Sequence, residues 1–176
     1  MDSHSITDDL GKSAREEALA VLKCAARAVS ETCEMQLGLS LTPAGSTGKP
    51  NSDCSTYGSS VALTEPGGGY NLMLVGDKGS CETLTRKLFF LEDGSPVDGD
   101  EMADALGELV NIAAGSVKSK HGGEDRDLQI GLPLFITGSG CLEFLAEGVY
   151  GAAQPLCAEG EENIRMQVVI VWRGNG

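Results

Sequence analysis

Histidine is scarce in this chain. His4 and His121 are the only two, too few for a histidine-based metal site or a Ser-His type triad. No apolar run approaches the ~20 residues that cross a bilayer as a helix. The start, MDSHSITDDL, is acidic and has no apolar h-region, which excludes a secretory signal. These two absences point to the cytoplasm. Basic residues are also few: 13 Lys and Arg stand against 26 Asp and Glu, a formal net charge of −13. Such a surface repels phosphate backbones and anionic headgroups, which excludes unspecific binding to nucleic acid or membrane. The six cysteines (24, 33, 54, 81, 141 and 157) form no CxxC pair and no zinc-type spacing. Several fall at apolar positions of helical or strand patterns, as expected of reduced, mostly buried thiols.

What is present is an ordinary globular composition. Apolar residues make up 41% of 176 positions, enough for one well-cored domain. Residues 1–12 read as a flexible acidic leader and residues 13–176 as the domain. A first helix is expected from Ser13 to about Gln36. SARE opens it as a capping box, and Leu19, Leu22, Ala26, Val29 and Cys33 form one stripe. Met35, Leu37, Leu39 and Leu41 alternate like a short strand. Residues 42–55 form a Pro-, Gly- and Ser-rich loop.

A hairpin follows, SSVALT and YNLMLV joined by EPGGG. A second helix is expected over 80–90 and a third over 100–120. Strands are expected at 128–137, within 140–151, at 155–158 and at 163–172, with EGEE (159–162) turning between the last two. Clustered strands, without strict alternation with helices, predict an α+β fold: an antiparallel or mixed sheet carrying two long helices. Each half of the chain starts with a long helix followed by a hairpin, so a weak internal duplication is expected.

The third helix, DEMADALGELVNIAAGSVKSK, carries the chemistry. At ~100° per residue, Asp104, Glu108 and Asn111 fall within roughly 60° of one another, with Glu101 and Gly115 on the same side. Met102, Leu106, Leu109, Val110, Ala113 and Val117 lie opposite, where a core would take them. An asparagine in mid-helix is a poor choice for stability. Gly107 and Gly115 each cost ~1 kcal/mol relative to alanine, and small residues there let another backbone approach. Ala105 and Ile112 would form an apolar rim. An acid and an amide one turn apart on a rigid helix can position water at a partner's reactive group. Two other readings stay open: a solvated helix face, and a divalent-cation site from Glu101, Asp104 and Glu108. EPGGGY joins two strands and is no phosphate loop.

DALGELVNIAAG (104–115) followed by IGLPLFITG (130–138) resembles the CheC/CheX/FliY family of chemotaxis phosphatases. The family's signature is an Asp or Ser, three residues, Glu, two residues, Asn, with a nearby Gly. Its Leu-Pro strand pair is matched by Leu132 and Pro133. The first helix has Glu17 and Ala20 where the third has Glu108 and Asn111, so one motif is present and the CheX branch is the nearer. The resemblance implies hydrolysis of the aspartyl phosphate on a phosphorylated CheY-like response regulator. Glu108 would pair with the regulator's lysine and Asn111 would orient the attacking water, with Asp104 and Gly115 in support. It also implies a homodimer, and magnesium on the partner regulator with no cofactor on this chain. The alternative is a non-catalytic dimeric adaptor docking a regulator or flagellar switch component through the same helix.

Overall fold

The computed structural model describes residues 3–51, 55–121, 127–139 and 149–173. Three helices lie on one face of a seven-stranded antiparallel sheet. The order is α1 (Ser3–Leu37), β1 (Leu41–Pro43), β2 (Ser55–Glu65), β3 (Gly68–Gly76), α2 (Lys78–Leu88) and α3 (Gly99–His121). Then come β4 (Gln129–Ile130), β5 (Leu134–Ser139), β6 (Val149–Ala158) and β7 (Glu161–Arg173).

The helix–sheet core follows the two periodicities. Val21, Leu22, Ala25, Val29 and Cys33 of α1 are buried at helical spacing. So are all six residues assigned to the core face of α3. On the strands, Val61 and Leu63, Leu72 and Leu74, and Ile164, Met166, Val168 and Ile170 alternate into the same core. The opposite sheet face carries a smaller cluster, Val75, Ala153 and Val169, with Met73, Ile136 and Val171 around it.

Strand order is β1-β6-β7-β3-β2-β4, with β5 also pairing β2. Exchanging β3 with β7, β2 with β6 and β1 with β4/β5 reproduces the order read backwards. The duplication expected from two helix–hairpin halves is therefore visible as topology. Each half also lends a strand to the other: β1 pairs β6, and β5 pairs β2.

Several sequence expectations need correction. The helix begins at Ser3, so the backbone of 3–12 continues α1 where a loose leader was expected; that stretch has no proline and a single glycine to interrupt it. Met35 and Leu37 belong to α1 and not to an alternating strand. Gly38, at φ +60°, donates its N–H to the Glu34 carbonyl and stops the helix there. The single strand expected over 128–137 is two. Ile130 pairs Leu63 and Leu134 pairs Ser60, so three residues, 131–133, span two on β2, a bulge that ends on Pro133, which cannot donate to a ladder. The short strand at 155–158 is the end of a longer β6. Residues 140–148 of the expected 140–151 strand lie outside the described residues.

Candidate functional site

The start of α3 is set by Asp98. Its Oδ1 accepts from the backbone N–H groups of Asp100 and Glu101 at 2.9 Å, and Glu101 Oε2 accepts from the Asp98 N–H at 3.0 Å. This is a reciprocal capping box, and it corrects the placement of Glu101 with the stripe: its carboxylate is committed to the helix end. Lys118, Lys120 and His121 close the other end, where positive charge suits the dipole. Among the described residues no group of three His, Cys, Asp or Glu side chains is arranged to hold a metal ion.

Asp104, Glu108 and Asn111 are all exposed on the side of α3 away from the core. None of the three side chains has a hydrogen-bond or ion-pair partner among the described residues. Two other helix carboxylates are paired, Glu31 with Arg27 and Glu82 with Lys78 and Arg86. Asp104 and Glu108 are a like-charged i, i+4 pair, which weakens a helix by a few tenths of a kcal/mol. The stripe is thus an arrangement that α3 carries at a small cost to its own stability. Chemically it offers carboxylate acceptors and an amide that both donates and accepts, held one turn apart on a packed helix.

The two glycines behave differently. Gly107 is buried and meets Pro133: a β-carbon built on Gly107 would lie 3.4 Å from the proline Cβ and 3.9 Å from Ser59 Oγ. A β-carbon on Gly115 would meet nothing within 4 Å among the described residues. Of the expected apolar rim, Ile112 is half-buried and borders the stripe. Ala105 is fully buried and belongs to the core. In α1, Glu17 is half-buried and Ala20 exposed, so the counterpart face has no amide.

Sequence reasoning missed the role of the bulge. The Leu-Pro pair was singled out as a motif, and the structure places its proline directly against the stripe-bearing helix. Leu132, next to it, is 90% exposed. A cavity of about 860 Å³ opens at another place, between residues 44–51 and strands β3, β6 and β7, with Lys49 and Arg165 at its edge. Its carboxylate, Asp77, is used to cap α2 by accepting from the Ser80 N–H and hydroxyl, both at 2.9 Å.

The family model described as Chemotaxis phosphatase CheX matches residues 57–155, more than half of the chain and including the whole of α3 and the Leu-Pro bulge. The chain belongs to the CheX family. Solved structures agree in fold. A chemotaxis protein CheX from Vibrio vulnificus is 13% identical, with a TM-score of 0.70 over 88% of this chain and 99% of that one. CheX from Desulfovibrio desulfuricans is 16% identical, with a TM-score of 0.66 over 86% and 97%. The Borrelia burgdorferi chain in a CheX-CheY-BeF3-Mg+2 complex is 18% identical, with a TM-score of 0.64 over 86% and 96%. No curated protein sequence matches the chain. No helix among the described residues is long and apolar enough to cross a membrane.

Proposed function

We propose that this chain is a response-regulator phosphatase, hydrolysing the aspartyl phosphate of a CheY-like partner with Glu108 and Asn111. The observation that carries the reading is the pair itself: an exposed carboxylate and amide one turn apart, without partners among the described residues, in a chain of the CheX family. Groups this exposed cannot exclude water or build a pocket alone. They suit insertion into a cleft that the substrate protein supplies.

In the reaction, Asn111 orients a water in line with the phosphorus. The water oxygen bonds to phosphorus, the bond to the aspartyl oxygen breaks, and the regulator's carboxylate and inorganic phosphate leave, with the water proton carried by the phosphate. An acyl phosphate is already activated, so positioning supplies most of the acceleration and no covalent intermediate on this chain is required. Glu108 pairs with the regulator's lysine and fixes α3 in the cleft. Asp104 supports Glu108 from one turn earlier, and Gly115 keeps the approach open. Magnesium belongs to the regulator, and this chain contributes no cofactor. A cytoplasmic homodimer completes the reading, and the CheX–CheY complex of the Borrelia burgdorferi relative supports a CheY-like partner.

The test is loss of phosphoryl label from magnesium-bound, phosphorylated CheY-like regulators of the same cell. Wild type should accelerate the loss for at least one regulator, and Asn111→Ala should return it to background while leaving binding within a few-fold. Binding without acceleration by wild type would leave the non-catalytic adaptor in place of the phosphatase.

A further inference from the structure

The cavity between residues 44–51 and the sheet is built on the face that the helices leave uncovered. Val75, Ala153 and Val169 form the cluster on that face. Alternation along β6 and β7 places Pro155, Cys157, Arg165 and Gln167 on the same side. Cys157 pairs with Arg165 across the two strands, and Pro155 with Gln167. These four residues and Val75 line the floor.

The wall of the cavity is fastened to the sheet. The Ala44 N–H donates to the Pro155 carbonyl at 2.9 Å, and Gly48 and Ala153 exchange backbone bonds at 3.0 and 2.8 Å. The Asn51 N–H donates to Gln167 Oε1 at 2.9 Å. The space so enclosed, about 860 Å³, is preformed and lies within the ~300–1,000 Å³ of small-molecule sites.

Its lining is basic in an acidic chain. Lys49 and Arg165 both face the cavity, two of 13 basic residues against 26 acidic ones. Neither side chain has a hydrogen-bond or ion-pair partner among the described residues. Lys49 stands two residues before Asn51, and Arg165 two positions before Gln167 on the same face, ~7 Å in each case. The Asn51–Gln167 bond ties these two stretches together, so both long side chains can reach one group. Asp77, the carboxylate on the lining, has both oxygens engaged by Ser80 at the start of α2 and pairs with neither cation.

We propose that this cavity binds a small organic phosphate monoester, its head held by Lys49 and Arg165 and its organic part laid over Val75 and Pro155. A phosphate monoester carries a charge of about −2 at neutral pH, which answers two cations where a carboxylate answers one. The guanidinium fork takes two phosphate oxygens at once, and the apolar floor rewards burial of the organic part. The site uses neither Glu108 nor Asn111, so it stands apart from the phosphatase reading.

The experiment is calorimetry on the full chain with AMP as the probe, beside adenosine, inorganic phosphate and succinate. AMP should saturate one site. Adenosine should give no binding, and phosphate and succinate at least tenfold weaker binding. Lys49→Gln and Arg165→Gln should each raise the Kd for AMP about tenfold, the scale of one charge-assisted hydrogen bond. Lys23→Gln, at an exposed lysine of α1, should leave it unchanged. An unaltered Tm without ligand shows that each variant is folded. Location is read at Cys157: saturating AMP should slow its alkylation by iodoacetamide several-fold, followed by peptide mass, and leave the rate at Cys24 unchanged. Absence of binding by both AMP and glycerol 3-phosphate overturns the proposal, as does binding indifferent to Lys49→Gln and Arg165→Gln. Binding that leaves Cys157 unprotected puts the ligand elsewhere and overturns it too. Inorganic phosphate as tight as AMP, or succinate tighter, would show a simple anion patch in place of a monoester site.

Discussion

Pro133 rests on the α3 backbone at Gly107, at a spacing that leaves room for one β-carbon and no more. Gly107→Ala should therefore be tolerated: it removes a helix-interior glycine, a gain of ~1 kcal/mol, and its methyl meets the proline at contact distance. Gly107→Leu should push the bulge outward and cost about 1–3 kcal/mol. Thermal melts check both, with a Tm at or above wild type for the first and several degrees lower for the second. Equal Tm values would show that Pro133 does not press on α3.

The capping box at Asp98 and Glu101 predicts a split between stability and metal response. Glu101→Ala and Asp98→Ala should each lower stability by ~1 kcal/mol, read from urea midpoints. Calcium or magnesium at millimolar concentration should leave the Tm of the isolated chain unchanged, because Glu101 is engaged by the backbone. A cation-dependent rise lost in Asp104→Asn would revive the metal reading.

The end of α2 carries a residue in the wrong conformation for its type. Phe90, 88% exposed, has φ of +53°. Its N–H bonds the Lys87 carbonyl while the Leu91 N–H bonds that of Arg86, the paired bonds of a Schellman turn in which glycine is usual. Phe90→Gly should stabilise the chain by ~1 kcal/mol, the left-handed penalty less the added freedom of the unfolded chain. A fall in Tm would mean that the aromatic ring has a contact worth more than its strain.

Burial pushes the thiols of Cys33 and Cys81 up to about 12. Asp77 adds to the effect at Cys81, whose Sγ donates to the Tyr57 carbonyl. In the unfolded chain these thiols ionise near the ordinary value of 9.0, so a folded pKa above it means the protonated form is the one the fold favours. That contribution is fully present below about 9 and is lost as pH rises toward about 12. Native chain at pH 8 should leave Cys33 and Cys81 unreacted toward a thiol reagent, while denatured chain exposes both. Rapid native labelling at Cys81 would contradict its burial on the sheet-facing side of α2.

The sequence carried the helices and the stripe well because both are statements of period. Every apolar position assigned to the inner face of α3 is buried, and Asp104, Glu108 and Asn111 share one exposed face. Glu101 was misjudged because a helical wheel gives direction and knows nothing of the helix end, where an acid three residues after Asp98 turns back to its backbone. The alternation at 35–41 fits a strand as readily as the last turn of a helix, and Gly38 decides between them. The strand break at Pro133 was legible as a proline, but its consequence depends on β2 register, a long-range fact. Ala105 looked like a rim residue because its wheel position is intermediate; neighbouring elements bury it.

The strand exchange between halves bears on how the molecule comes to exist. Thr47, beyond β1, bonds Gln154 of β6 across 107 positions, and β2 receives β5 from the distal half. Neither half can complete its sheet from its own residues. During synthesis the first half therefore emerges with open strand edges that only strands β4 to β7, from residue 129 onward, can cover. Such an order favours late, cooperative closure and slow folding, and makes the loop between α2 and α3 a poor place to divide the chain into autonomous pieces.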